Sequence, residues 1–394
     1  MGRNSAVDLV QRGHGWQNTI AVTASTTVFP IQDRKRAAPG GPDRRPVSQP
    51  SKRPTIRDVA RAAGVSVATV SRALSGDYPV STATRARIQR AVRDLDYVVN
   101  AHARALSGAT SKVVAILMKE TVTPFYAHIA AGVEAEAAEH GRLCLVCTTH
   151  GDADRELEII KLMREQHADA VILVGGVVEN EEYRERMKRY AIGLADAGSK
   201  LVTCARPSLG PDIPAISVEY DNVGGAYAAT SHLLSAGHRR IVMLAGPDGF
   251  TTSDQRVVGY RNALTAYKIP VDPALISHGD MGRDGGYERT AELLDRGIEF
   301  TGVFAGNDNT AAGAIAALRD RGKRVPEDVS IIGFDDVPLA GDLNPPLTTV
   351  HLPHEELGRT AVKMALQSNG SGRQHVMLGT HIVVRDSVAT APLA

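Results

Sequence analysis

From residue 113 to residue 334 the chain alternates short apolar runs with amphipathic stretches, and this alternation restricts the fold more than any other feature. The runs VVAIL (113–117), LCLVC (143–147) and AVILV (170–174) are each followed by helical spacing, at 124–140, 153–166 and 180–198. LVTC (201–204) and AISV (215–218) close this first cycle. After Asp221 the cycle restarts with a helix at 222–236, IVMLA (241–245), a helix at 253–267 and ALIS (274–277). A helix at 284–296, GVFA (302–305), a helix at 308–321 and VSIIGF (329–334) complete it. Short, wholly apolar runs fit strands buried on both faces, and the helices between them are the crossovers that parallel strands require. Two cycles predict two α/β lobes with parallel sheets. Residues 347–394 return with a strand, a helix at 353–368 and two short strands.

The front of the chain differs in charge. Residues 1–50 carry seven Lys/Arg against three Asp/Glu, and residues 51–112 eleven against four, leaving 27 against 37 for the rest. A basic front on an acidic body predicts that the front meets a polyanion. Residues 1–54, which include RAAPGGPDRRPVSQPSKRP, show no period of 2 or 3.6 and are expected to form a disordered extension. The next methionine after Met1 is Met118, so a shorter product would start at a non-Met codon such as that of Val47. Three cysteines exclude a disulfide framework and fit a reducing compartment. No apolar run approaches the roughly 18–20 residues of a membrane span, and no charged-then-apolar leader opens the chain. A cytoplasmic location is expected.

Between tail and lobes, TIRDVARAAG places Ile56, Val59, Ala60 and Ala63 on one face of a short helix, capped by Thr55 and stopped by Gly64. VSVATVSRAL follows with Ser66 as its cap, and Ser81 caps a third helix carrying Ile88, Val92 and Leu95. A small residue (Gly64) and an apolar one (Val65) between the first two helices give a helix-turn-helix. Its second helix is free to enter a major groove, presenting Ser66, Val67, Ala68, Thr69 and Arg72 to base edges. Arg72 can grip a guanine bidentately, while Val67 and Ala68 suit thymine methyl groups. Thr55, Arg57, Ser71, Thr84 and Arg87 suit phosphates, which position a protein without specifying sequence.

Residues 55–108 closely resemble the headpiece of the lactose/galactose repressor (LacI/GalR) family, in DVARAAGVS, TVSRAL and the NAHARAL segment ending at Leu106. The remainder resembles that family too, so the likeness covers about 340 residues. It implies an all-α helix-turn-helix headpiece (55–100), a hinge helix and linker (101–111) and a two-lobed, periplasmic-binding-protein-like domain (112–394). In such a hinge Asn100 and Ala103 would meet the minor groove, and Leu106 would wedge between base steps at the operator centre. Two departures stand out. Val99 replaces the usual Pro, implying a less rigid approach to the hinge, and Ser75 replaces an Asn that makes a polar DNA contact.

Ligands of open α/β sheets sit at the carboxyl ends of strands, and two lobes can close on one. Those ends offer Phe125, Tyr126, Arg206, Arg256, Met281, Asn307 and Asp335 as effector-binding candidates. The resemblance implies that Arg256, Asn307 and Asp335 bind effector hydroxyls, and their chemistry suits vicinal diols. Met281 stands where sugar-binding members often carry an aromatic ring, so a purine or other metabolite remains beside a sugar as the effector. Asp308 and Asp336 are expected to cap helices and turns.

Other chemistries find little support. Cys144 and Cys147 lie three apart on a strand, on opposite faces, and are expected to be ordinary core residues rather than metal ligands. His351 and His354 lack a third ligand, and no GxGxxG after a strand, GxxxxGK[ST] or GxSxG occurs. Neither catalytic residues, metal nor cofactor are expected. The expected function is a ligand-responsive transcriptional regulator, a repressor acting as a homodimer on pseudo-palindromic operator DNA. The terminal VVRDSVATAPLA carries no leucine heptad to build a tetramer. The alternatives are a cytoplasmic small-solute-binding protein and, behind it, a sugar-converting enzyme.

Overall fold

The computed structural model describes residues 54–75, 80–97, 111–367 and 374–392. The tail up to residue 53 and the hinge positions Val99, Asn100, Ala103 and Leu106 lie outside these residues.

Three helices form the headpiece: α1 (Ile56–Ala63), α2 (Val67–Ser75) and α3 (Thr82–Asp94). Asp58 accepts the backbone N–H of Thr55 at 2.9 Å and its hydroxyl at 2.7 Å, fixing the start of α1. Gly64 ends it at φ 64°, in the left-handed region where other residues are strained. Ser66 Oγ accepts the N–H of Thr69 at 3.1 Å, so α2 begins after only three intervening residues, Gly64, Val65 and Ser66. Val59, Ala60, Ala63, Val70, Ile88 and Ala91 close into a small core that holds the two helices at a fixed angle.

Beyond it lie two six-stranded sheets. The first is formed by β1 (Val113–Met118), β2 (Leu143–Thr148), β3 (Ala170–Val174), β4 (Lys200–Cys204), β5 (Ala215–Tyr220) and β11 (Gln374–Leu378). Their order is β2-β1-β3-β4-β5-β11, and every pairing is parallel. The second repeats the plan with β6 (Ile241–Leu244), β7 (Ile276–Ser277), β8 (Gly302–Ala305), β9 (Ser330–Asp335), β10 (Thr348–His351) and β12 (His381–Val383). It runs β7-β6-β8-β9-β10-β12, with β12 antiparallel at one edge.

Helices cover both faces of each sheet, as the two α/β cycles predict. In the first lobe α4 (Pro124–Glu139) and α12 (His354–Gln367) pair on one face, with α5 (Ala153–Glu165) and α6 (Glu181–Asp196) on the other. In the second, α7 (Asn222–Ser235) packs on α8 (Thr251–Ala266), opposite α9 (Arg283–Asp295) and α10 (Asp308–Asp320). A five-residue helix, α11 (Pro338–Asp342), is too short to leave a period in the sequence and was not expected. The chain crosses between lobes three times, after Tyr220, after His351 and after Leu378. One apolar cluster runs through both lobes, from Ile129 and Leu357 to Tyr260 and Phe334.

Strand β2 corrects an expectation. Leu143, Leu145 and Val146 are exposed on this edge strand, and Cys144 and Cys147 are half-buried rather than core residues. An apolar strand at a sheet edge has the same composition as one in the centre, and only the third cysteine, Cys204 on β4, is buried.

Candidate functional site

On the headpiece, α2 turns Ser66, Val67, Ala68, Ser71 and Arg72 to solvent and leaves Thr69 half-buried. Val67 is 41% exposed, unusual for a valine that could have faced the headpiece core. Thr55 and Arg57 are exposed on α1, while Thr84, half-buried, accepts the Ser81 hydroxyl at 2.9 Å. The residue types, exposure and helix position are those of a groove-reading helix with flanking phosphate contacts.

Between the lobes lies a cavity of about 350 Å³, within the range of small-molecule sites. Phe125, Tyr126, Arg256, Met281, Asn307 and Asp335 all line it. Arg256 is its buried anchor. Nε donates to Asn222 Oδ1 at 3.0 Å, Nη2 donates to the Tyr220 hydroxyl at 2.9 Å and to Asp335 Oδ1 at 3.4 Å, and Nη1 donates to the Gly306 carbonyl. The guanidinium also stands 3.9 Å from the centre of the Phe334 ring. One side chain therefore ties the end of β5 to the ends of β8 and β9.

Asp335 is held at φ 103° and Asp336 at φ 55°, a sparsely populated backbone that turns successive carboxylates apart. Asp335 faces the cavity, whereas Asp336 meets Arg385 at 2.7 Å and His351 at 2.9 Å. Burial pushes the Asp335 carboxyl up to about 6, against the pull of Arg256. Behind it is Asp308, and here the expected capping role is corrected. The cap of α10 is Asn307, whose Oδ1 accepts the Thr310 N–H at 2.8 Å. Asp308 is instead buried, accepting the Val337 N–H at 2.9 Å and the Thr349 hydroxyl at 2.6 Å. Burial first, and the Asp335 charge second, push its carboxyl up to about 8. No sequence pattern separates a helix-capping Asp from one turned inward beside another carboxylate.

Arg206 stands apart from the other candidates. It lines a second cavity of about 160 Å³ in the first lobe, bound to Glu156 at 2.9 and 3.1 Å, to the Tyr183 hydroxyl at 2.7 Å and to the Gly175 carbonyl at 2.7 Å. Tyr220, Phe250, Asp280 and Asn309 also line the main cavity, without having been expected from the sequence. Tyr220 ends β5 and Asn309 lies in the first turn of α10, so the strand-end rule could have found both; Phe250 and Asp280 sit on loops. The Asp280–Met281 loop is held from behind by buried Arg289, which donates to the carbonyls of Asp280, Ser277 and Ala245, and by Thr310, which donates to that of Met281 at 3.0 Å.

The lobes also touch beside the cavity. Thr251 donates its N–H to the Val177 carbonyl at 3.0 Å, its hydroxyl accepts the Val177 N–H at 3.1 Å, and Val178 bridges Phe250. Gly176 makes this approach feasible: a Cβ there would stand 2.6 Å from Phe250 Cε1 and 2.7 Å from Thr252 Oγ1. Among the described residues no group of three or more metal-ligating side chains occurs, and no helix is long and apolar enough to cross a membrane.

A headpiece with an exposed recognition helix, carried by two lobes around a polar cavity, defines a DNA-binding transcriptional regulator on a binding-protein scaffold. Residues 55–100 match the model of the bacterial regulatory proteins of the lacI family, and residues 230–388 that of a periplasmic binding protein-like domain. The HTH-type transcriptional regulators DegA of Bacillus subtilis (strain 168) and CelR of Thermobifida fusca are each 36% identical to the chain. The alignments span 86% and 85% of this chain, and 98% of either relative. The chain belongs to the lacI family of transcriptional regulators. Among solved structures it resembles a complex of CelR with cellobiose (34% identity, TM-score 0.63, 85% of this chain and 100% of that one). It also resembles the lac repressor dimer bound to operator and the anti-inducer ONPF (26% identity, TM-score 0.72, 86% and 100%).

Proposed function

We propose that the chain is a repressor that grips a pseudo-palindromic operator as a homodimer and is released from it, or loaded onto it, by a small polyhydroxylated effector bound between its lobes. The observation that carries this reading is the Arg256 network, which joins both lobes at the cavity and presents Asp335 beside Asn307. Asp335 meets Arg256 through Oδ1 alone, and the Asn307 amide caps α10 with its oxygen, leaving its NH₂ for a ligand. Carboxylate, amide and guanidinium together suit vicinal hydroxyls. Among the solved structures the chain resembles, one holds cellobiose and another, a LacI family regulator from Enterococcus faecium, holds ribose, and both ligands are in keeping with this chemistry.

Ser66, Val67, Ala68, Thr69 and Arg72 read bases, and Thr55, Arg57, Ser71 and Thr84 hold phosphates. Asn100, Ala103 and Leu106 serve the hinge between the half-sites. The exposed apolar residues of β2 supply part of the dimer face. The effector shifts the pairing of the two first lobes, and a coupling of about 1–3 kcal/mol changes operator affinity roughly 5–150-fold. The protein acts in the cytoplasm, and the effector leaves the cleft chemically unchanged. Footprinting on DNA upstream of the coding region tests this: two protected half-sites, with centres about one helical turn apart, support it. A single protected half-site, or none, contradicts it.

A further inference from the structure

The main cavity is not the whole of the space between the lobes. The second cavity shares Lys119, Tyr126, Gly176 and Phe250 with it, so the two compartments meet at one wall. Its other lining residues, among them Thr149, Asp152, Ala153, Glu156 and Arg206, all belong to the first lobe. Phe250 is the one lining residue that the second lobe contributes, and it is held there by the Val177–Thr251 hydrogen bonds. Closure of the lobes therefore roofs the second compartment. With about 160 Å³ it has room for about five water molecules at the ~30 Å³ each takes in the liquid, the space of one further saturated ring.

Charge narrows the occupant further. The two compartments are lined by three cationic side chains (Lys119, Arg206, Arg256) and five acidic ones (Glu120, Asp152, Glu156, Asp280, Asp335). Both buried guanidinium groups already have carboxylate partners, Arg256 with Asp335 and Arg206 with Glu156. No buried cation waits for an anion, and a phosphate or carboxylate ester would enter an acidic surround.

Resting on the reading that the cleft holds the effector, we propose that the effector is a neutral glycoside of two rings. One ring is held in the main cavity by Arg256, Asn307 and Asp335, and the other under Phe250 in the compartment of Arg206, Asp152 and Thr149. The lobe contact at Val177–Thr251 then closes over the second ring, which is how a disaccharide is told from its component hexose.

Titration calorimetry on the full chain with cellobiose, maltose, lactose, sucrose and trehalose, their component hexoses and glucose 6-phosphate tests this. At least one disaccharide is expected to bind roughly tenfold or more tightly than its hexoses, and the phosphate ester not to bind. Ala153→Leu, which fills the second compartment, is expected to weaken disaccharide binding roughly tenfold while changing hexose binding less than about twofold. Phe250→Ala leaves Ala153 in place and is expected to remove the same preference. Hexose binding as tight as disaccharide binding, or a disaccharide affinity that ignores both substitutions, overturns the proposal and leaves the carbohydrate reading intact. Binding of none of these sugars overturns both.

Discussion

Arg256→Met provides a demanding test of how the cleft is held together. Arg256 is 3% exposed, and the substitution keeps an unbranched side chain while removing every partner of the guanidinium. Asp335 is then a buried carboxylate with no cation, next to the buried Asp308. Breaking one side of a buried pair typically costs about 3–5 kcal/mol. The penalty depends on pH. In the folded wild type Asp335 titrates near 6, while unfolded aspartates titrate near about 4. A carboxyl whose folded pKa is raised holds its proton better folded than unfolded, so its contribution is complete below about pH 4. It is then lost as pH climbs to the folded value. Without Arg256 that loss continues above 6, adding about 2 kcal/mol between pH 6 and 7.5 at ~1.4 kcal/mol per unit. Urea unfolding followed by circular dichroism at pH 5.5 and 7.5 reads both terms. The penalty should be larger at pH 7.5 by about that amount, and Arg256→Met/Asp335→Asn should recover most of the difference. An equal penalty at both pH values, or no recovery in the double variant, refutes the argument that an uncompensated Asp335 is what the substitution exposes.

Asp308, pushed up to about 8, keeps its proton through the neutral range, so the wild type loses stability between about pH 4 and 8 on its account. Asp308→Asn mimics the protonated form, and its melting temperature should fall less than that of the wild type between pH 5 and 8. Gly176→Val places a branched side chain where Phe250 and Thr252 now stand, so the lobes should open. A larger radius of gyration in small-angle scattering and a roughly tenfold loss of effector affinity are expected, with little change in operator binding by ligand-free protein. Tyr183→Phe removes the hydroxyl that donates to Glu156 at 2.7 Å and accepts from Arg206 at 2.7 Å, and should destabilise the chain by about 1–3 kcal/mol in thermal unfolding.

Much of this architecture was legible in the amino-acid sequence because its determinants are local. Thr55 and Gly64 bracket α1 by capping chemistry, and apolar strands such as AVILV announce themselves by composition. The strand-end rule found Phe125, Arg256, Asn307 and Asp335 because the cavity does lie at those ends. What was missed depends on tertiary placement. Phe250 and Asp280 reach the cavity on loops, and the sequence carries no period to show where a loop folds back. Arg206 follows a strand, as an effector ligand would, yet Glu156 and Tyr183 claim its guanidinium from helices 50 and 23 residues away in sequence. Strand β2 was expected to be buried because an apolar run at a sheet edge reads like one in its centre, and the sequence does not show which strand is the edge.

Operator binding rests on the recognition helix α2. Fluorescence anisotropy of the full chain on labelled DNA from upstream of its coding region, at fixed salt and beside an Arg72→Ala control, tests it most directly. Tight binding is expected, weakened by Arg72→Ala by about 1–3 kcal/mol, or roughly 5–150-fold, and shifted by a ligand that fills the cleft. Binding that is indifferent to Arg72, or no binding to any such fragment with or without cleft ligands, would contradict it.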